Sequence, residues 1–244
     1  MDIEALTHLF SYCERGQSER LSDEPVNVLT NLAFLIAVVV AGLRWRARPA
    51  RSRDGDVIVF LVLIVLIGSG STGLHVFAAP WAIVGDVVPI ALFILVYLNF
   101  ALIRFLAVPP ATAMLLVLAF LGLTGAILAF PAVATRLNGS IVLLPALGAV
   151  IIVGGIMVRR SHPGGGWLLS AAGLFAFALA LRTIDHAVCE ATIINGHTFG
   201  THGGWHVVSA IVLYLLVRAA IDHGRYGEQV YEVLAPVGRR DAQS

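Results

Sequence analysis

The sequence predicts an all-α membrane protein, a single bundle of seven transmembrane helices. Three observations carry that prediction. Of the 244 residues, 58% are hydrophobic and 13% are charged, about half the charged share of an ordinary soluble domain. Apolar runs long enough to cross about 30 Å of hydrocarbon recur along the whole chain. These runs are continuous, without the polar–apolar alternation of barrel strands, so they read as helices.

The runs are 26–43, 57–78, 83–106, 111–130, 141–158, 167–181 and 205–220. The first carries Asn27 and Asn31 one turn apart, amides that should face inward to be satisfied. The second ends Gly68-Ser69-Gly70-Ser71-Thr72-Gly73-Leu74-His75. The third follows Pro80-Trp81, read as a turn, and bears Asp86 near its start. The fourth and fifth are almost purely aliphatic and read as wall and lipid-facing surface. The sixth is followed by Asp185, His186 and Cys189, and the seventh is opened by His202-Gly203-Gly204-Trp205-His206. The polar stretch 1–24 lacks the basic-then-apolar order of a signal peptide, so insertion is expected to fall to the first run. Residues 1–24 read as an outer loop and 222–244 as a short polar tail, with no second domain.

All sixteen basic residues are arginine. The absence of lysine excludes a retinal Schiff base. A net charge of +1 without a large basic block offers nothing to nucleic acid. Arginine placement sets the expected orientation. Arg44, Arg46, Arg48, Arg51, Arg53, Arg104, Arg159, Arg160, Arg218, Arg225, Arg239 and Arg240 share one side, against Arg15, Arg20, Arg136 and Arg182 on the other. The N-terminus is therefore expected outside and the tail in the cytoplasm.

This topology collects the unusual polar residues at the outer surface: Glu14, His75, Asp86, Asp185 and His202. His202 and His206 are four apart, as are Ser71 and His75, so each pair shares a helix face. His75, His202 and His206 make a three-imidazole set, the protein part of a catalytic zinc site with one open position. Zinc lowers the pKa of a water in that position toward 7. Asp86 fits a general base or an orienting group, and Ser71 a donor to a developing oxyanion. Any one of these residues alone also reads as a polar group reaching the headgroups. The glycines at 68–73 and 200–204 read as room for close packing, by helix two or by substrate.

Taken in order, these motifs resemble the alkaline ceramidase family, part of a larger group of seven-helix membrane hydrolases that includes the adiponectin and progestin receptors. The resemblance rests on Ser71-x-x-x-His75, Asp86 with Pro89, and His202-x-x-x-His206. Tyr12-Cys13-Glu14, Glu24-Pro25-Val26-Asn27-x-x-x-Asn31 and Asp185-x-x-x-Cys189 match the ceramidase branch in particular. It implies a zinc amidase that cleaves the N-acyl bond of a ceramide-like lipid, with His75, His202 and His206 as zinc ligands and Ser71 and Asp86 as catalytic partners. It also implies a Cys13–Cys189 disulfide, consistent with two cysteines on the outer side, the alternative being two free thiols. Glu14 and Glu24 match family calcium-ligand positions. Ser11 replaces an Asp and Gly16 an Asn of that pattern, which leaves fewer charged ligands, and the acidic loop of Glu14, Glu19, Asp23 and Glu24 also reads as simply solvated. The alanine- and arginine-rich composition points to a bacterial inner membrane with the site facing the periplasm. Two rivals stand beside this reading: a seven-helix lipid receptor with a structural zinc, and a haem-binding redox protein.

Overall fold

The computed structural model describes residues 12–15, 23–50 and 53–224. Among them, seven helices are long and apolar enough to cross a membrane. They are α1 (Pro25–Arg46), α2 (Asp56–Phe77), α3 (Pro80–Phe105), α4 (Pro110–Leu128), α5 (Ser140–Arg159), α6 (Gly165–Val188) and α7 (His202–His223). Each contains most or all of one predicted run. The ends differ where end chemistry outweighs hydropathy. Pro80 opens α3 instead of belonging to a preceding turn, since its fixed φ and missing N–H suit a first helical position. Asp86 consequently lies in the second turn. The last helix starts at His202, three residues before the apolar run, and carries both histidines on regular helix.

The first span is two helical pieces, Pro25–Thr30 and Leu32–Arg46, meeting at Asn31. Polar side chains there bond the local backbone. Asn31 Nδ2 donates to the Asn27 carbonyl at 3.0 Å, and the Thr30 hydroxyl donates to the Val26 carbonyl at 2.8 Å. Asn27 and Asn31 are both buried, and each Nδ2 has a partner while each Oδ1 has none among the described residues.

Half of the α7 window is buried, against 11% for α4, which makes α7 the central helix and α4 a lipid-facing one. The fifth helix is less bland than its sequence suggests, because Ala146, Val153 and Met157 turn into the core. Away from the histidines the core is aromatic, with the Phe60 ring 5.3–5.8 Å from those of Phe93, Tyr97 and Phe100. The Tyr97 hydroxyl donates to the Leu216 carbonyl at 2.8 Å, tying α3 to α7.

Glycines set the closest approaches. A Cβ on Gly70 of α2 would run into the Gly85 carbonyl of α3. One on Gly203 would meet Val26 and Thr30 at 3.2–3.4 Å. Gly203 therefore makes room for α1 and Gly204 for Leu181 of α6, where helix two or substrate was the expectation. Between α6 and α7, a two-stranded hairpin pairs Ile193–Ile194 with His197–Thr198. The Cys13–Cys189 disulfide implied by the family resemblance is present. It fastens residues 12–15 to the α6–α7 connection.

Candidate metal centre

The centre is built from the adjoining ends of α2 and α7. Ser71 and His75 are one turn apart on α2, His202 and His206 one turn apart on α7, and all four side chains are buried. One ring nitrogen from each histidine lies within 4.8 Å of the others. His75 Nε2 and His206 Nε2 stand 3.1 Å apart. Two nitrogens bound at about 2.0–2.1 Å to one tetrahedral ion would stand about 3.3 Å apart.

Hydrogen bonds behind two of the rings decide which nitrogens face inward. His75 Nδ1 is 2.5 Å from Glu24 Oε2, so the carboxylate accepts its proton. His206 Nδ1 is 2.9 Å from Thr30 Oγ1, whose own proton goes to the Val26 carbonyl. The hydroxyl must then accept, and His206 Nδ1 must carry the hydrogen. Both facing Nε2 atoms are left with lone pairs aimed into one small buried space. Alone they repel; a cation between them turns the arrangement favourable. The residues therefore fit a metal ion, with Glu24 and Thr30 in the orienting positions that accompany metal-bound imidazoles. His202 is held differently. Its Nδ1 is buried without a hydrogen bond among the described residues, and the Tyr12 ring stacks on it with centroids 3.5 Å apart.

Beside the histidines, Ser71 Oγ is 3.4 Å from His206 Nε2, and the buried Asp86 carboxyl faces Ser71. Both line an apolar cavity that also touches His206, Phe93, Tyr97 and Leu216. Asp86 and Tyr97 are eleven residues apart on α3, so the cavity follows about 16 Å of helix.

Residues to which the sequence assigns no role at the site also support the centre. Asp185 is fully buried, and its carboxylate accepts N–H bonds from Cys13 (2.9 Å), Thr201 (2.6 Å) and His202 (3.0 Å). It thus caps α7 at its first ligand. Its signals in the sequence were an acid just past an apolar run and the Asp185-x-x-x-Cys189 motif. Arg182 donates to the Tyr12 hydroxyl at 3.3 Å and lies over the Tyr12 and Trp205 rings. Burial pushes the Tyr12 hydroxyl up to about 12, with Arg182 pulling the other way.

Glu14 and Glu24, the residues matched to calcium, both have protein partners. Glu14 accepts from the Val26 and Asn27 amides at 2.6 and 2.8 Å, and burial leaves it above the usual carboxylate range despite those bonds. Glu24 bonds His75, Asn27 and Arg15. Burial pushes its carboxyl up, and these three bonds more than offset that, holding it low. Ser11, Gly16 and Glu19, which also figure in the calcium expectation, lie outside the described residues.

Seven apolar helices around three converging imidazoles define a multi-pass membrane protein with a candidate metal centre at one end of an apolar cavity. A family model described as ceramidase matches residues 7–233. The chain therefore belongs to the ceramidase family, which implies a hydrolase of amide bonds with a lipid substrate. A comparison with curated proteins found no match.

Proposed function

We propose that this protein is a zinc-dependent membrane amidase that hydrolyses the N-acyl bond of ceramide or a related N-acyl lipid, releasing a fatty acid and an amine. The observation that carries the zinc assignment is the approach of His75 Nε2 to His206 Nε2 at 3.1 Å, each ring backed by an oxygen at Nδ1. His202 completes the ligand set. Zinc held there supplies Lewis acidity and a water made acidic enough to act as a nucleophile near neutral pH.

The chain's own residues divide the remaining work. Asp86 takes the proton from the attacking water and returns it to the leaving amine nitrogen, which cannot depart as an anion. Its burial beside Ser71 keeps that proton from exchanging with bulk water. Ser71 donates its hydroxyl hydrogen to the carbonyl oxygen as charge grows on it. The apolar cavity takes the acyl chain. Its length of about 16 Å holds an extended chain of roughly a dozen carbons, and the buried chain gains about 0.8 kcal/mol per methylene.

The arginine bias and the disulfide support an N-out, C-in orientation. The site then opens at the outer leaflet, on the periplasmic side of a bacterial inner membrane, and the chain acts as one seven-helix domain.

The test incubates purified protein, loaded with one equivalent of zinc, with ceramides and other N-acyl lipids while fatty-acid release is followed. Release that stops on chelation and returns with zinc is expected. No turnover on any N-acyl lipid overturns the reading.

A further inference from the structure

Residues 12–15 form a strap in which each residue grips a different part of the bundle. Tyr12 stacks on His202 of α7. Cys13 is bonded to Cys189 and donates its N–H to Asp185. Glu14 accepts the Val26 and Asn27 amides in the first turn of α1. Arg15 reaches Glu24 and α2. Its Nε bonds Glu24 Oε1 in an ion pair whose side chains are 8% and 2% exposed, and its Nη2 donates to the His75 carbonyl at 2.6 Å.

The last contact has a geometric consequence. Glu24 presents two oxygens to two partners, Oε2 to His75 Nδ1 and Oε1 to Arg15 Nε. A carboxylate held at one oxygen can swing about its own axis, whereas one held at both cannot. Asn27 Nδ2 adds a third hold on Oε2 at 2.9 Å. Arg15 also bonds the main chain of the very histidine that Glu24 orients. The guanidinium thus spans both sides of the Glu24–His75 bond, and a planar fork suits that task better than an ammonium.

We infer that Arg15 is a positioning residue of the metal centre: by clamping Glu24 onto His75 it keeps the His75 ring turned with Nε2 toward the ion. It touches neither substrate nor metal and acts only through Glu24. The inference rests on the reading that His75, His202 and His206 hold zinc.

The experiment is a zinc competition titration against a chromophoric chelator, on purified full-length wild type, Arg15→Ala, Glu24→Gln and the double variant. Each single variant should bind zinc about 10–100-fold more weakly than wild type. The double variant should be no weaker than Glu24→Gln alone, because removing Arg15 can do no harm once its target is gone. Arg15→Lys, which retains the charge without the fork, should fall between wild type and Arg15→Ala, and stands in if the alanine variant does not fold. Wild-type zinc affinity in Arg15→Ala, or in Arg15→Lys where that is the variant measured, overturns the role of Arg15. So do additive losses in the double variant, which a general loosening of the strap would produce. Failure of the wild type itself to bind zinc overturns the three-histidine reading, and the inference with it.

Discussion

The two ends of the bundle both carry arginine–carboxylate pairs, and the pairs behave differently. At the arginine-rich end, Arg44 reaches Asp222 through both Nε and Nη2 at 2.7–3.2 Å, with side chains 40% and 11% exposed. Arg104 bonds Asp54 there at 2.5 Å, and Arg218 lies 3.9 Å over the Trp167 ring. These groups link helix ends, and the Arg44–Asp222 pair, with its partly exposed arginine, is worth about 0–1 kcal/mol. At the histidine end, Arg15 and Glu24 are buried, and Glu24 is shared with a candidate ligand. Desolvation there consumes much of the attraction, and losing one partner strands a buried charge. One end uses ion pairs as fasteners and the other uses them to aim imidazoles.

That comparison can be broken from the histidine end first. His206→Ala or His202→Ala should abolish zinc retention, measured by elemental analysis, and lipid amide hydrolysis together; full activity in either would remove it from the ligand set. Asp86→Asn should retain zinc while turnover falls about 10²–10⁴-fold, a split between metal content and rate that a folding defect would not give. Cys13→Ser releases the strap and should lower stability by roughly 2–4 kcal/mol. A thermal melt in detergent checks this, and an unchanged melting temperature would count against the fastening role. Thr30→Val removes the acceptor behind His206 and should weaken zinc about 10-fold with the helices intact. A chelator titration beside a circular dichroism spectrum decides that. At the other end, Asp222→Asn should change stability by less than about 1 kcal/mol and leave zinc affinity untouched. A metal-affinity effect from Asp222 would erase the distinction between the two ends.

Much of the site was legible because its spacing is local. Ser71 with His75, and His202 with His206, announce themselves through helical periodicity, and an imidazole pair heading an apolar run stands out by hydropathy alone. The orienting partners had no such signal. Thr30 lies 176 residues from His206 and looks like an ordinary helical threonine. Asp185 stands out in the sequence as an outer-surface acid and a motif member, but its partners Cys13, Thr201 and His202 are visible only in the fold. Glu24 read as a match to a calcium-ligand position or as a solvated carboxylate, and only its burial against His75 reveals an orienting contact.

By itself the sequence determined the number of crossing helices and the two faces that carry histidines, because hydrophobic length and the 3.6-residue repeat are properties of contiguous residues. Tertiary structure alone decided that these faces meet and which ring nitrogens turn inward. It also decided that Arg15 closes on Glu24. Those outcomes depend on which buried donor finds which buried acceptor across the bundle, and in a medium without water each such group must find a partner within the protein.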